Sequence, residues 1–404
     1  MRALFVTMVW PPKGTDNMYS DLISEFTERG HFVDVAALSE KRNQIKTHME
    51  EGKNLNILYV NCGNIQKVNK YSKVLNSFGA GISLLFAARK YLKGRAYDTI
   101  IFALPPLTIA PAVIYLKKYF HTKLYLLLKE FWPQDPVDLG AMKKGGIVWL
   151  VFRYLEKLLY RNSDYIGTMS EAGITFLKDN NPNLTAWMEV CPNSQKAMFI
   201  DVENKTEIRK KYDLPVNKTI FVFGGNFGVS QGIPEMVSEI KAASEIADVF
   251  FLLIGNGTEF RYMESELKVL GEDKVKVLAY MPRSEFDQVL SVCDVGMIFL
   301  YPRYTVPNVP SRMISYLLAR LPILAAVDPA TDAGDIVERA GCGLKVMNGD
   351  VEAFKAAAQR MSDENTRFRM RIASERLMME QYTTERCYYT IAKHFEKRYG
   401  NGDT

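Results

Sequence analysis

The chain has 404 residues, of which 48% are hydrophobic and 24% charged, with 51 Lys and Arg against 46 Asp and Glu. That length exceeds one ordinary core and predicts two or three domains, while the mixture of apolar and charged residues excludes a disordered or fibrous chain. Five cysteines stand scattered and never as a Cys-x-x-Cys pair, and four histidines are equally dispersed, so neither a disulfide framework nor a zinc or other metal site is expected.

Along the chain, Met1–Val9 already reads as a strand and Pro11-Pro12 follows it. No charged start, apolar middle and small-residue cleavage site precedes it, so a cytoplasmic location is expected. Strand-like runs at Arg2–Val9, Phe32–Leu38, Asn56–Val60, Thr99–Leu104, Lys123–Leu128 and Tyr165–Met169 alternate with helical patterns at Met18–Arg29, Phe78–Leu92 and Ile147–Arg161. Such alternation builds a parallel sheet with helices on both faces. The longest uncharged run, Thr99–Leu116, approaches the ~18 residues of a membrane span. Pro105, Pro106 and Pro111 interrupt it, which predicts a strand, a turn and a helix beginning near Leu107.

A second series of strands is predicted at Thr219–Gly224, Val249–Ile254, Val275–Ala279, Val295–Phe299, Pro322–Ala326 and Gly343–Val346. The fold class expected is therefore α/β, with two doubly wound, Rossmann-like domains over residues 1–193 and 194–379, joined near Pro192–Val216. Phe368–Arg398 reads as one long helical pattern whose end, about 380–398, crosses back over the first domain. Two such domains leave a cleft at the carboxyl ends of their strands, where ligands of this class bind.

Thr219–Gly232, TIFVFGGNFGVSQG, is a buried strand entering a Gly-rich loop and then a helix near Pro234. Glycines there let a phosphate reach backbone N–H groups at a helix start. Phe251–Glu259, FLLIGNGTE, repeats the pattern one strand later with Gly255, Asn256 and Gly257, and the pair favours a nucleotide. In VPNVPSRMISYLLARLPILAA, residues 306–326, Ser311 is the expected N-cap, and Arg312 stands in the first turn, where its guanidinium can clamp a diphosphate. Met313, Leu317 and Leu318 fall at core spacing.

The order of these segments, together with Arg29-Gly30-His31 before a strand, resembles family 4 glycosyltransferases, the retaining GT-B enzymes that use nucleotide sugars. The resemblance covers nearly the whole chain. Glu130–Gly140 (EFWPQDPVDLG), Gly224–Gly232 (GGNFGVSQG) and Val309–Ser311 look most like the branch containing the N-acetyl-L-fucosamine transferases of capsule and O-antigen assembly.

That resemblance implies a donor site for a nucleoside-diphosphate sugar, UDP-linked in the first instance. It would comprise Gly224, Gly225, Asn226, Phe227, Gly228 and Gln231, then Gly255, Asn256 and Gly257, then Met281 and Arg283, and finally Val309, Pro310, Ser311, Arg312 and Ser315. Asn226 and Gln231 stand where the wider family carries a diphosphate-binding Arg and Lys. The family's two second-domain glutamates fall on Pro307 and Ser315, which leaves open a catalytically degenerate partner or scaffold subunit as the alternative to an enzyme.

Glu130, at the carboxyl end of the Lys123–Leu128 strand, is the expected catalytic carboxylate, orienting an acceptor hydroxyl as its proton departs. Pro12, Lys13, Gly14, Trp132 and Pro133 fall on the acceptor side. No Asp-x-Asp occurs, and GT-B enzymes of this kind work without a bound cation, so no metal and no cofactor beyond the sugar nucleotide is expected.

Arg89–Arg161 holds 13 Lys and Arg against 5 Asp and Glu. Within it KKGGIVWLVFRYLEKLLYR joins an apolar cluster to Lys143, Lys144, Arg153, Lys157 and Arg161 around Trp149. A basic amphipathic helix of this kind suits an anionic membrane surface. Docking on the inner face of the cell membrane fits the polyprenyl-diphosphate-linked saccharide acceptor that the resemblance implies. Nucleic acid is not an expected partner, because no basic run interleaved with exposed aromatics on a known module appears.

Overall fold

The computed structural model describes residues 1–12, 14–65, 70–200 and 204–395. The chain divides into two compact units, Met1–Lys196 with Thr384–Thr404, and Ala197–Thr383. In the first, β1 (Arg2–Thr7), α1 (Met18–Glu28), β2 (Phe32–Glu40), β3 (His48–Glu50) and β4 (Leu55–Cys62) precede α2 (Lys70–Tyr91) and β5 (Thr99–Leu104). Next come α3 (Ala110–Tyr119), β6 (Lys123–Leu128), α4 (Gln134–Asp138), α5 (Ile147–Asn162), β7 (Tyr165–Thr168), α6 (Glu171–Asn180) and β8 (Trp187–Val190).

These strands form one eight-stranded sheet in the order β3-β4-β2-β1-β5-β6-β7-β8. Pairing is parallel except for β3 against β4. The inner strands TIIFAL and KLYLLL are almost wholly buried, as expected of a parallel sheet covered on both faces, where alternation gives way to continuous Val, Ile and Leu.

The second unit contains α7 (Lys205–Lys211), β9 (Thr219–Asn226), α8 (Ile233–Ala243), β10 (Val249–Asn256), α9 (Phe260–Leu267), β11 (Val275–Ala279) and α10 (Arg283–Leu290). After β12 (Val295–Phe299) follow α11 (Arg312–Leu318), β13 (Ile323–Val327), α12 (Ala333–Ala340), β14 (Gly343–Met347), α13 (Val351–Met361) and α14 (Glu364–Gln381). Its sheet runs β11-β10-β9-β12-β13-β14, all parallel. Apolar clusters cover both faces, one containing Ile220, Val222 and Tyr316, the other Phe221, Phe223 and Phe227.

The predicted long helix over Phe368–Arg398 is two helices. It breaks at Tyr382-Thr383, and α15 (Thr384–Ala392) belongs to the first unit. Tyr382 is anchored in the second unit's core, and two β-branched residues follow, which favour helix interiors poorly. The Thr384 N–H donates to the Gln195 carbonyl at 3.1 Å. α15 then packs on α1, with Cys387 and Tyr388 in the core and Arg29 paired to Glu385 at 2.9 Å. The part of the predicted crossover beyond 395 lies outside the described residues. Among those described, no helix is long and apolar enough to cross a membrane.

One buried acid sits under the second unit's carboxyl end. Glu239 of α8 is fully buried and accepts the Gly349 N–H at 2.8 Å, while its other oxygen has no partner. Burial, with Glu235 and Asp350 nearby, pushes its carboxyl pKa up to about 8. The native state therefore holds a proton that the unfolded chain releases near pH ~4.3. This group's stabilising contribution is complete below that value and is lost as pH rises through about 8. Glu239→Gln is expected to raise the thermal midpoint at pH ~8 by roughly 2–10 °C and to leave it unchanged at pH ~4, read by calorimetry.

Candidate functional site

Strands β9 and β10 run in register to their ends, pairing Gly224 with Ile254, Gly225 with Gly255 and Asn226 with Asn256. The stretches expected as Gly-rich loops are thus partly strand, and crowding explains most of their glycines. A Cβ at Gly255 would lie 1.8 Å from the Gly225 carbonyl oxygen, one at Gly257 2.1 Å from the Phe227 oxygen, and one at Gly224 2.2 Å from the Phe286 ring. The Phe227 N–H donates to the Asn256 carbonyl at 2.7 Å, and the Glu259 N–H to the Phe227 carbonyl at 2.9 Å. Gly255 and Gly257 therefore let two chain segments close on each other, which corrects the expectation that phosphate access dictates them.

Gly225 differs. Gly225 and Asn226 are exposed at the strand end, and the space a Gly225 side chain would need is held by Arg312, whose Nη2 would lie 3.2 Å from that Cβ. The Arg312 guanidinium carbon sits 4.1 Å from the centroid of the Phe223 ring, a cation–π arrangement. Its Nη1 is buried without a hydrogen-bond partner, and no ion pair to it is found among the described residues. Burial away from water draws its pKa below the ordinary arginine value, yet a guanidinium keeps its charge at neutral pH. Arg312 as a whole is half-buried, and it is the sealed, unbonded Nη1 that carries a desolvation cost.

Around it, Tyr316 accepts the Gly224 N–H at 3.2 Å through its hydroxyl and so fixes the end of β9. Gln231 is buried, its side-chain amide nitrogen donating to the Ser230 hydroxyl at 3.0 Å while its Oε1 has no partner. Gly228 begins the turn that ends at Gly232 in the left-handed region, after which α8 starts. Ser315, Val309, Pro310 and Met281 are half-buried, Val309 and Met281 against the core.

One expectation fails here. Ser311 occupies the N-cap position with helical dihedrals and makes no side-chain capping bond, so the seven-residue α11 begins uncapped. Arg283 is exposed at the start of α10, 3.6 Å from Asp287 of the same helix.

In the first unit Glu130 stands two residues past the end of β6 and accepts the Trp132 indole N–H at 3.2 Å. Its charge adds to burial in holding the Tyr19 hydroxyl well above the ordinary range. Trp132 packs on Phe152 at 5.2 Å, and Pro133 is buried. Pro12 and Gly14 are exposed, and Lys13 lies outside the described residues. Of the basic helix residues, Lys143, Lys144, Lys157 and Arg161 are exposed and Trp149 is half-buried. Arg153 is not part of that surface: it pairs with Glu156 and donates to the Asn180 carbonyl at 2.7 Å and to the Asn181 side chain at 3.1 Å.

The sequence gives no sign of a cavity of about 220 Å³ at the carboxyl ends of β1, β2 and β4, lined by Trp10, Ser39, Glu40, Arg42 and Tyr59 among others. The Ser39 hydroxyl is buried there without a partner, and Glu40 pairs with Arg42 at 2.7 Å. Its walls come from three separate strands, so only the sheet order could have assembled it.

Residues 204–378 match the family described as Glycosyl transferases group 1. The matched residues span most of the second unit. Two named proteins resemble the longer chain. "Probable glycosyltransferase WbjE" of Pseudomonas aeruginosa is 25% identical over 67% of this chain and 68% of its own length. A protein of Escherichia coli (strain K12), named for colanic acid biosynthesis as the glycosyl transferase WcaI, is 24% identical over 64% of this chain and 65% of its own length.

Among solved structures, sucrose-phosphate synthase from Thermosynechococcus elongatus superposes with a TM-score of 0.76 at 16% identity, covering 98% of both chains. Anabaena Alr3699/HepE in complex with UDP and glucose gives 0.69 at 15%, covering 98% of this chain and 99% of that one. These likenesses establish the GT-B fold, and Arg312 with the residues around it lies inside the matched stretch 204–378.

Gly255→Ala is expected to cost ~4 kcal/mol or more in urea unfolding, because the obstacle is backbone. Gly228→Ala, whose new Cβ meets only the end of the Asn226 side chain at 2.8 Å, is expected to cost less than ~1.5 kcal/mol.

Proposed function

We propose that this protein is a retaining glycosyltransferase that moves a sugar, a UDP-linked N-acetyl amino sugar, to a lipid-linked glycan acceptor during synthesis of a bacterial surface polysaccharide such as capsule or O-antigen. The observation that carries the reading is Arg312. Its guanidinium is fixed on Phe223 beside the exposed end of β9, and its buried Nη1 has no partner, which is the preorganised form of an anion site.

On this reading the diphosphate lies against Arg312 and the backbone of Gly225–Gly228, with Asn226 and Gln231 alongside. The nucleoside is assigned to Gly255–Gly257 and Met281, and Ser315 takes a ribose hydroxyl. When the bond between the anomeric carbon and the diphosphate breaks, its electron pair stays with the diphosphate, whose added charge Arg312 offsets. The acceptor oxygen bonds to the same face of that carbon, and its proton passes to the leaving diphosphate oxygen.

The names of the relatives and the UDP held by the HepE structure support this choice. Among the described residues no group of three His, Cys, Asp or Glu is placed to hold a metal ion, and the proposal assigns the charge on the diphosphate to arginine alone.

A second reading has a specific observation behind it. Pro307 and Ser315 stand where the resembling enzymes carry two glutamates, as they would in a degenerate subunit that scaffolds an active partner. Calorimetric titration with UDP, GDP, ADP and dTDP separates the two. The enzyme reading predicts selective binding of one nucleotide, UDP in the first instance, weakened in Arg312→Ala by about 1.5–3 kcal/mol, the typical worth of a hydrogen bond to a charged group. Absence of binding by any of the four up to millimolar concentration would hand the case to the scaffold.

A further inference from the structure

We propose that Cys191 and Cys387 are a reversible redox pair, which closes to a disulfide when a hydroperoxide reaches it and so locks α15 onto the end of β8. Both thiols lie in the first unit, and nothing around Arg312 takes part.

The two sulfur atoms are 3.2 Å apart and both are buried. Their positions are 196 residues apart, so no spacing in the chain announces them, and a single reversible bridge is not the framework that scattered cysteines argue against. The other thiols are placed differently. Cys293 donates to the Val289 carbonyl at 3.1 Å and Cys342 to the Val337 carbonyl at 3.5 Å. Burial pushes the Cys62 thiol up to about 11 and that of Cys342 up to about 12, which leaves them unreactive near neutral pH.

Held backbone carries both members of the pair. The Cys191 N–H donates to the Thr168 carbonyl at 2.8 Å, and the Cys191 carbonyl accepts the Lys129 Nζ at 3.0 Å. α15 starts at the Thr384 N–H bond to the Gln195 carbonyl, and the Thr384 hydroxyl donates to the Glu25 carboxylate at 3.0 Å. An approach of roughly 1 Å would bring the sulfurs to bonding distance. The hydrogen bond from Cys191 holds the Cys387 thiol below its ordinary pKa, and the buried Lys129 adds to the effect. Cys387 is therefore the attacking sulfur.

As its thiolate, Cys387 attacks one oxygen of the hydroperoxide. The O–O bond breaks, and the departing oxygen takes the proton that Cys387 released, leaving as water or an alcohol. The Cys191 sulfur then displaces the oxygen of the resulting sulfenic acid, which leaves as water with the Cys191 proton. Two electrons pass from the sulfurs to the peroxide, and a thiol reductant returns them. Neither sulfur meets solvent while α15 is seated, so the peroxide enters when that nine-residue helix lifts by local opening. The bond, once formed, prevents the lifting. Because the chain leaves the first unit after Lys196 and returns at Thr384, the bridge closes a loop that contains the whole second unit.

The test is treatment of the full, folded chain with hydrogen peroxide, then unfolding, alkylation of free thiols with iodoacetamide and peptide mass mapping. The expected product keeps three of the five cysteines alkylated and joins the peptide of Cys191 to that of Cys387. Its thermal midpoint is expected to lie roughly 2–8 °C above that of the untreated chain, and dithiothreitol is expected to reverse both changes. Cys387→Ala is expected to retain every remaining thiol and to show no rise over its own untreated midpoint. Five alkylated cysteines in treated wild type, a different pair joined, or a sulfinic acid at Cys387 in place of the bridge would overturn the proposal. So would a Cys191–Cys387 bridge that leaves the midpoint where it was, since α15 would then not be locked.

Discussion

The candidate donor site depends on one guanidinium that has no partner. Arg312 lies 4.1 Å over Phe223 with a nitrogen sealed from water and unbonded. Folding gains little from that placement: the aromatic face returns part of what desolvation costs, and a protein selected for stability alone would put an acid or an apolar residue there. Phe223 is itself held among Phe227 and Phe299, and Gly225 leaves the guanidinium its space. A cation so positioned answers charge that arrives from outside the fold.

The glycines around it divide the labour differently from their appearance in the sequence. Gly255 and Gly257 allow the end of β10 to close on Phe227, and Gly224 makes room for Phe286 while Tyr316 fixes its N–H. Their effect on a ligand is indirect: they bring the strand ends close enough that Gly225 and Asn226 emerge beside Arg312. A Gly-rich segment after a parallel strand can thus be a packing device and still build a binding surface.

Much of this was legible in the residues. Continuous apolar runs such as TIIFAL and KLYLLL mark inner parallel strands wherever both faces are covered, and the breaks between them fix the alternation. The short strands β3 and β8 were not legible, since HME and WMEV carry too little apolar periodicity and exist through their neighbours' free edges. The break at Tyr382-Thr383 was missed for a similar reason: helix periodicity continues across it, and only tertiary anchoring on either side interrupts it. Arg312 could be picked out as a charge at the mouth of an apolar helix. Its seat on Phe223 could not, because that contact joins positions 89 residues apart. Arg153 shows the converse error, a basic residue counted with a surface patch while Glu156, one turn on, draws it inward.

The most direct test is the thermal unfolding of Arg312→Met, which keeps most of the side chain's length and removes its charge, measured with and without UDP. If Arg312 is held for a ligand, the unliganded variant unfolds at or above the wild-type midpoint, and the stabilisation that saturating UDP confers on wild type disappears. A variant that unfolds several degrees lower while UDP stabilises it as it does the wild type would place Arg312 in the service of the fold and contradict the account.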